Sequence, residues 1–497
     1  MSRQPPSLLN MFLDRARETP EALAIVDGPV LVSYRALEAA SRRAAQQFRA
    51  QGWQVGQTVG LLGQRYPAAL QVIVMLGLER AGVAYLPLTE REAAAESGVA
   101  LLRHLGAVGM VGDTSGTDLP VLAPDMVWLS ADDLPPAADA PLPGDLPCFV
   151  GRSSGTTGEP KAFAVTHAQD VARMLSQGEA LMMRRQDRVM SLTGFGFVTG
   201  LSYAKRCLAA GGTVVARPQA EAAEAAFDRI DRYAVNYVCG TPSHLHSMLD
   251  AAPPDAPRLP GLRVLRVGGA VLSQGAITGI LGRISPSLVY NYGCNEAGGL
   301  TSATGAMLLA HPGTVGSVIP GMQVEVRDAA GAPVAAGQPG RVWVRGAGTV
   351  TRYLHGTDAD QARFVAGWYD TSDIGVLDAA GLLFLRGRAD DMLNYSGMLL
   401  SLRDLELAFE DHHAVAEVAA FALPSERHQD LPLVAVVLKG EATTEALLAH
   451  GRARLGVRAP VAIFLTRDLP RNGMGKVLRH ELAAQARAAM TARPRQE

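Results

Sequence analysis

Between Leu8 and Leu88 helical and extended periods alternate at short intervals, and that alternation restricts the chain to few architectures. The pattern predicts a strand over 31–34, a helix over 35–50, a strand over 58–62, a helix over 68–80 and a strand over 84–88. Short apolar strands joined through helices build a parallel α/β sheet. The run over 68–78 is broken only by Gln71 and closed by Glu79 and Arg80, so it is too short to span a bilayer and reads as a buried helix. A second unit of this kind extends to about Ser130, and 131–147, rich in Pro, Ala and Asp, reads as a surface loop feeding a short apolar strand at Cys148.

That strand runs into Ser153-Ser154-Gly155-Thr156-Thr157-Gly158-Glu159-Pro160-Lys161. Glycines free the backbone to curl, and the hydroxyls and peptide N–H groups between them can converge on one anion. Lys161 adds a positive charge on a flexible stem, with Pro160 stiffening the turn before it. The dense hydroxyl run ending in lysine predicts a phosphate cradle; the alternative is an exposed turn between two strands. A Walker loop is excluded, because neither Lys161, followed by Ala162, nor Lys476, followed by Val477, is followed by Ser or Thr.

Downstream, a helix over 171–183 and a strand over 188–192 lead to a glycine-aromatic loop containing Phe195, Gly196, Phe197 and Val198. Small residues beside rings suit a slot for a flat or linear apolar group; a tight strand-to-helix turn packed by core phenylalanines is the other reading. Strands over 237–239 and 264–267 enter small-residue loops, the second being Gly268, Gly269 and Ala270. Ligands of open α/β sheets sit beyond strand carboxyl ends, so these loops are candidate pocket walls. His244 and His246 lack a third ligand at a telling spacing and read as solvated residues at a helix start. Asn291, Tyr292 and Gly293 end a further strand, and Asn295-Glu296 follows its turn; one carboxylate near polyphosphate is enough to hold Mg²⁺, which keeps most of its waters. From 313 to 384 strand-like alternation with Gly and Pro turns predicts a small antiparallel β-rich subdomain. It closes on Thr371-Ser372-Asp373, where a carboxylate can accept from both hydroxyls of a diol.

A chain of 497 residues has room for more than one core. With 48% apolar residues, 19% charged residues and a formal charge of −2, its composition is that of a soluble globular protein and suggests neither a nucleic acid partner nor a membrane span. Four widely spaced cysteines without a C-x-x-C pair read as free thiols of a reducing compartment, and 1–20 carries no apolar signal core, so the expected location is cytoplasmic. No internal repeat or low-complexity tract is present.

The stretches 153–162, 292–296, 371–373, 387–397 and 470–476 together resemble, in order, the motifs of the adenylate-forming superfamily of acyl-CoA synthetases, peptide-synthetase adenylation domains and luciferase-like ligases. Asn295 stands where that family usually has threonine, Ser372 where it has glycine. The resemblance implies an α/β fold with a large N-terminal domain over 1–388, including the β-rich subdomain, and a small mobile α+β C-terminal domain over 389–497. It implies that ATP is held by the cradle and by Asn291, Tyr292, Gly293, Asn295, Asp373 and Arg388, and that Glu296 holds Mg²⁺. Lys476 would bridge the attacking carboxylate and the α-phosphate, Asp390 would be the hinge, and Gly397 would line the thiol's approach.

Amino-acid-activating members pair the α-ammonium with an aspartate just after the loop aromatic, where this chain has Val198. An ammonium left uncompensated there is costly, so an uncharged acyl or aryl acid is expected. The histidine or asparagine common in other acid ligases of the family is absent from this window. No phosphopantetheine-bearing carrier domain follows within the 497 residues, so the expected acceptor is CoA or the phosphopantetheine of a separate carrier protein. Transfer to an amine, or a nucleotide-binding regulator on the same fold, are the alternatives.

Overall fold

The structure, a computed structural model, describes residues 7–62, 66–90, 92, 96–112, 118–130, 142–153, 161–218, 221–396, 398–410, 412–425, 428–471 and 477–492. The largest sheet has 14 strands, of which six run parallel in the order Leu23–Asp27, Thr213–Val215, Arg188–Ser191, Tyr237–Gly240, Val264–Gly268 and Leu288–Cys294. Beyond Leu288–Cys294 the same sheet turns antiparallel through Gly298–Thr304 and Thr314–Val318 to Leu382–Arg388, Trp368–Leu377, Pro339–Gly346 and Met322–Arg327. The β-rich stretch expected over 313–384 is therefore present as an extension of the central sheet, joined to it by the pairs Thr301↔Val318 and Ser302↔Ser317.

A second sheet of six strands includes Thr58–Leu62, Ala84–Leu88 and Pro147–Arg152 in parallel, with Ala162–Thr166 antiparallel at its edge. The helix Ala68–Ala81 is buried continuously from Ala69 to Ala81, as its apolar run requires. Glu79 and Arg80, which by sequence close the apolar run, are buried as well. They are tolerated because each has a partner: Lys205 donates to Glu79 Oε1 at 2.5 Å, and Arg80 Nη1 donates to Glu38 Oε1 at 2.9 Å. Gly77 lets the neighbouring helix Tyr34–Ala50 approach, since a Cβ there would sit 2.6 Å from that of Ala44.

The helix expected over 171–183 is corrected to His167–Leu175. Thr166 and Gln169 form a reciprocal capping box that starts it earlier, and Gly178, at φ 74°, lies beyond its end.

The large sheet's last strand in sequence ends at Arg388, and after a 3₁₀ turn, Ala389–Asp391, the chain enters a five-stranded sheet at Met392–Tyr395. Its two long strands, Val415–Ser425 and Gln429–Leu438, alternate faces with period two. Ala420, Val434 and Val436 pack against Leu405, Phe409 and Leu447 on one side; Ala419, Phe421 and Leu433 pack against Leu469, Leu482 and Ala486 on the other. Among the described residues no helix is long and apolar enough to cross a membrane.

Candidate active site

Parallel strands deliver their carboxyl ends to one edge of a sheet, and here Ser191, Gly240, Gly268 and Cys294 all end strands of the parallel region. Beyond those ends lies a cavity of about 1040 Å³. Its wall includes Ser153, Gly196, Phe197, Val198, Gly268, Gly269, Asn291, Gly293 and Asn295, so segments more than 100 residues apart meet there. Asp391, Asp430, Arg479 and Glu481, from the 3₁₀ turn and the region of the five-stranded sheet, line its other side.

The base of the predicted cradle is a closed hairpin. Ser153 N–H donates to the Lys161 carbonyl at 2.8 Å, and Lys161 N–H donates to Ser153 Oγ at 3.1 Å. Ser154, Gly155, Thr156, Thr157 and Gly158 lie outside the described residues, as do Gly397 and Lys476. Lys161 ion-pairs with Asp360 through its Nζ. Burial opposes ionisation of Asp360, but Lys161 and the Thr357 N–H and hydroxyl outweigh it and hold the carboxyl below the usual carboxylate range. Arg152 grips Glu92 with two bonds of 2.5 and 3.0 Å, and Asn295 Nδ2 donates to the Arg152 carbonyl at 2.8 Å. Asn295 thus ties the turn before Glu296 to the end of the cradle strand.

That turn requires glycine. A Cβ at Gly293 would lie 2.2 Å from the Gly298 carbonyl oxygen, where the ladder shifts register between Tyr292 and Gly293. Glu296 is 4% exposed. Tyr353 Oη donates to its Oε1 at 2.8 Å and lies 3.0 Å from the Tyr369 hydroxyl. The Glu296 carbonyl accepts from Arg173 Nη2 and from Val350 N–H at 2.8 and 2.9 Å, while Arg173 Nε holds the Gly348 carbonyl at 2.8 Å. Arg173 and Tyr353, not singled out in the sequence, therefore hold the Glu296 backbone and side chain, with Tyr369 backing Tyr353; nothing in their local spacing signals it.

Asp373 receives a hydrogen bond from Tyr292 Oη and faces Arg388 Nη1 at 3.5 Å, so three residues predicted from separate motifs meet. The carboxylate drives the buried Tyr292 phenol further upward than burial alone. Ser372, where glycine is usual in the resembling family, has φ 62° and is 2% exposed. A left-handed non-glycine residue costs roughly 1–2 kcal/mol. Its N–H is held by Asp370 Oδ1 at 2.9 Å. Ser372→Gly is expected to raise stability by about 0.5 kcal/mol after the loss of chain entropy. Ser372→Val, β-branched and buried, should lower it by about 2–3 kcal/mol; urea midpoints of the two variants check the sign.

The glycine-aromatic loop combines both sequence readings. Gly196, Phe197 and Val198 line the cavity, and Val198 begins the helix Val198–Ala210. Gly200 lets that helix turn tightly, because a Cβ would meet the Gly194 carbonyl oxygen at 2.4 Å. Phe195 packs on the core instead, and Ala270 accepts from Tyr290 Oη at 3.0 Å; neither is part of the cavity wall. Arg206 and Arg266 line the cavity too, and the sequence signal for the second was an arginine inside the apolar strand Val264–Gly268.

The histidine reading is corrected in one respect. His244 is not a solvated residue: its Nδ1 lies 2.8 Å from Thr241 Oγ1 and caps the helix Pro242–Ala251. Among the described residues no group of three or more His, Cys, Asp or Glu is placed to hold a metal. Burial pushes His244 down to about 4, Arg217 adding to it, and His167 likewise to about 4, with Lys205 adding there. Both are neutral when folded and take up protons on unfolding below the ordinary value of 6.5. The unfolded state then binds more protons, so stability falls as pH drops from about 6.5 to about 4. Melting temperatures across that window should decline progressively, and His244→Asn should flatten the decline.

Residues 12–354 match the family model described as AMP-binding enzyme, and residues 404–476 match AMP-binding enzyme C-terminal domain. The chain is 30% identical, over 97% of its length, to a probable non-canonical nonribosomal peptide synthetase, CymA, of Salinispora arenicola, of which it spans 6%. It is 27% identical to a feruloyl-CoA synthase of Amycolatopsis over 94% of this chain and 96% of that protein. The fold superposes on O-succinylbenzoate coenzyme A synthetase (MenE) of Bacillus subtilis in complex with AMP at a TM-score of 0.83, with 22% identity and coverage of 95% and 98% of the two chains.

Proposed function

Because this chain belongs to the AMP-binding enzyme family, we propose that it uses ATP to convert a carboxylic acid to an acyl adenylate, releasing pyrophosphate, and then passes the acyl group to a thiol. The observation that carries this reading is the cavity that joins Ser153 of the cradle, the Asn291–Asn295 turn and the glycine-aromatic loop. A carboxylate is a poor electrophile until its oxygen becomes part of a good leaving group, and AMP is one. The chemistry then consists of positioning two anions and stabilising charge on the α-phosphate and pyrophosphate.

In this reading 153–158 and Lys161 hold the phosphates, and Asn291, Tyr292, Gly293 and Asn295 form the wall beside them. Asp373, oriented by Tyr292 and Arg388, takes the ribose hydroxyls. Lys476 orients the attacking carboxylate and screens it from the α-phosphate. Glu296 would hold Mg²⁺. The site fits that ion, for it offers one clamped carboxylate and no protein cage among the described residues, and Mg²⁺ prefers to keep water and borrow phosphate oxygens. When bound, Mg²⁺ neutralises phosphate charge.

The functional division is taken to fall at 388/389, with Asp390 as the hinge that withdraws Lys476 and Gly397 beside the entering thiol. The likeness to a feruloyl-CoA synthase supports CoA as acceptor. The likeness to a peptide synthetase supports carrier-bound phosphopantetheine as the alternative. The proposed reaction has no nucleic acid partner, and a cytoplasmic location is part of the same proposal.

Mass spectrometry of the purified protein with ATP, Mg²⁺, CoA and a panel of acids tests the proposal. Acyl-CoA formation that falls about 100-fold or more in Lys476→Ala is the expected result. Acyl adenylate without acyl-CoA would redirect the acceptor to a carrier or amine. No adenylate from any acid would leave a nucleotide-binding regulator as the better account.

A further inference from the structure

The cavity wall contains a buried guanidinium that, among the described residues, has no carboxylate to balance it. Arg266 is 5% exposed and lines the cavity. Its Nη2 donates to Asn291 Oδ1 at 2.6 Å, its guanidinium lies 5.0 Å from the centre of the Tyr203 ring and interacts with Tyr237, and among the described residues its Nη1 has no hydrogen-bond partner. Asn291 is an amide, already committed through Nδ2 to the Thr301 carbonyl at 2.7 Å, and contributes no charge.

Arg206 lines the same cavity but has a carboxylate beside it. Its Nη2 approaches Asp170 Oδ1 at 3.7 Å, and its Nε lacks a partner. Asp170 is itself engaged by Lys205 at 2.5 Å. Both arginines face Tyr203: burial raises that phenol, and Arg266 and Arg206 both oppose the rise. Lys205 and Arg206 together match Glu79 and Asp170, so among the described residues the positive excess on the cavity wall falls on Arg266.

Burying an unpaired charge costs several kcal/mol, and leaving a donor unmade inside a protein adds to that. A chain that keeps such a group on a ligand cavity is arranged for an anion that arrives with the ligand. Arg266 and Gly268 stand two apart on one face of their strand and both line the cavity, and Gly268 is required there because a Cβ would meet the Asn291 carbonyl oxygen at 2.5 Å.

Resting on the acid-activating reading above, we propose that the acid is a dicarboxylic acid: one carboxylate is adenylated, and the second is received by Arg266. This replaces the uncharged acid expected from Val198 alone. Val198 argues only against an ammonium, and Arg266 argues against one more strongly.

The test measures acid-dependent pyrophosphate release with ATP and Mg²⁺ for α,ω-dicarboxylic acids and benzene dicarboxylic acids, each beside the monocarboxylic acid of the same skeleton. It is run on the wild type and Arg266→Met, with ATP binding and melting temperature as a check that the variant folds. A charge-assisted pair predicts that kcat/KM favours the diacid by about 10- to 100-fold in the wild type. In Arg266→Met the preference should vanish or invert while ATP still binds. If Arg266→Met does not fold, Arg266→Lys, which keeps the charge and loses the planar fork, should retain the diacid preference in weakened form. Monoacids turned over as well as diacids, or a preference for neutral hydroxy- or keto-acids, would overturn the dicarboxylate assignment and leave acid activation standing. No pyrophosphate release from any acid would overturn the activation reading and this inference with it.

Discussion

Lys205→Met is expected to destabilise the protein by about 3–5 kcal/mol, the typical loss when one partner of a buried ion pair is removed. Lys205 is 1% exposed and stands 2.5 Å from Glu79 Oε1 and 2.5 Å from Asp170 Oδ2. The three residues come from the helices Val198–Ala210, Ala68–Ala81 and His167–Leu175, so one ammonium joins three elements. Burial drives the Glu79 carboxyl upward, with Lys205 opposing it. Burial acts on Asp170 in the same sense, but Lys205 and Arg206 outweigh it and hold that carboxyl below its usual range. Without Lys205, two carboxylates remain buried, Asp170 with Arg206 and Arg173 nearby and Glu79 beside Asp170, and each must be protonated or hydrated for the fold to persist. Urea unfolding and melting temperature measure the loss. Adding Glu79→Met and Asp170→Leu to Lys205→Met should restore most of it, because the penalty lies in the orphaned charges. A single variant as stable as the wild type would show that the cluster is not closed to water.

Glu296→Gln is expected to lower kcat for adenylate formation by about 10²–10³-fold, the scale of losing one preorganised electrostatic contact at a phosphoryl-transfer centre. Stability should change by less than about 1 kcal/mol, since the glutamine oxygen can still accept from Tyr353 and the backbone clamp from Arg173 is untouched. The Mg²⁺ concentration giving half-maximal rate should rise with the fall in kcat. Tyr353→Phe separates positioning from metal binding: it frees one carboxylate oxygen without removing charge, so kcat should fall by only about tenfold. Unchanged Mg²⁺ dependence in Glu296→Gln would remove Glu296 from the metal site.

Much of the scaffold was legible because it rests on local periodicity. The strands at 58–62 and 84–88 and the helix Ala68–Ala81 announce themselves through runs of apolar residues that only a doubly covered α/β layer can bury. The error at 171–183 was of another kind, because Thr166 and Gln169 set the helix start by a reciprocal cap that an apolar count does not weigh. The site was legible where glycine and hydroxyl spacing carry it, as at Gly293 and Ser153. It was not legible where one side chain acts on a distant segment. Arg173 reaches Glu296 across 123 positions, and Tyr353 reaches it across 57.

The sequence by itself therefore determined the layered α/β scaffold and the order of the motifs by which the chain resembles its family, and it set the expectation of no ammonium beside Val198. Those follow from short-range patterns, in which neighbouring residues specify a turn, a strand face or a missing charge. Only the tertiary structure decided which charges are compensated. Lys205 stands beside Arg206 on its helix and Arg266 inside an apolar strand, yet the first meets two carboxylates and the second meets an amide and an aromatic ring. The reason is that the cost of a buried charge is fixed by what the fold brings within a few ångströms of it, and strand order, not chain order, sets that neighbourhood.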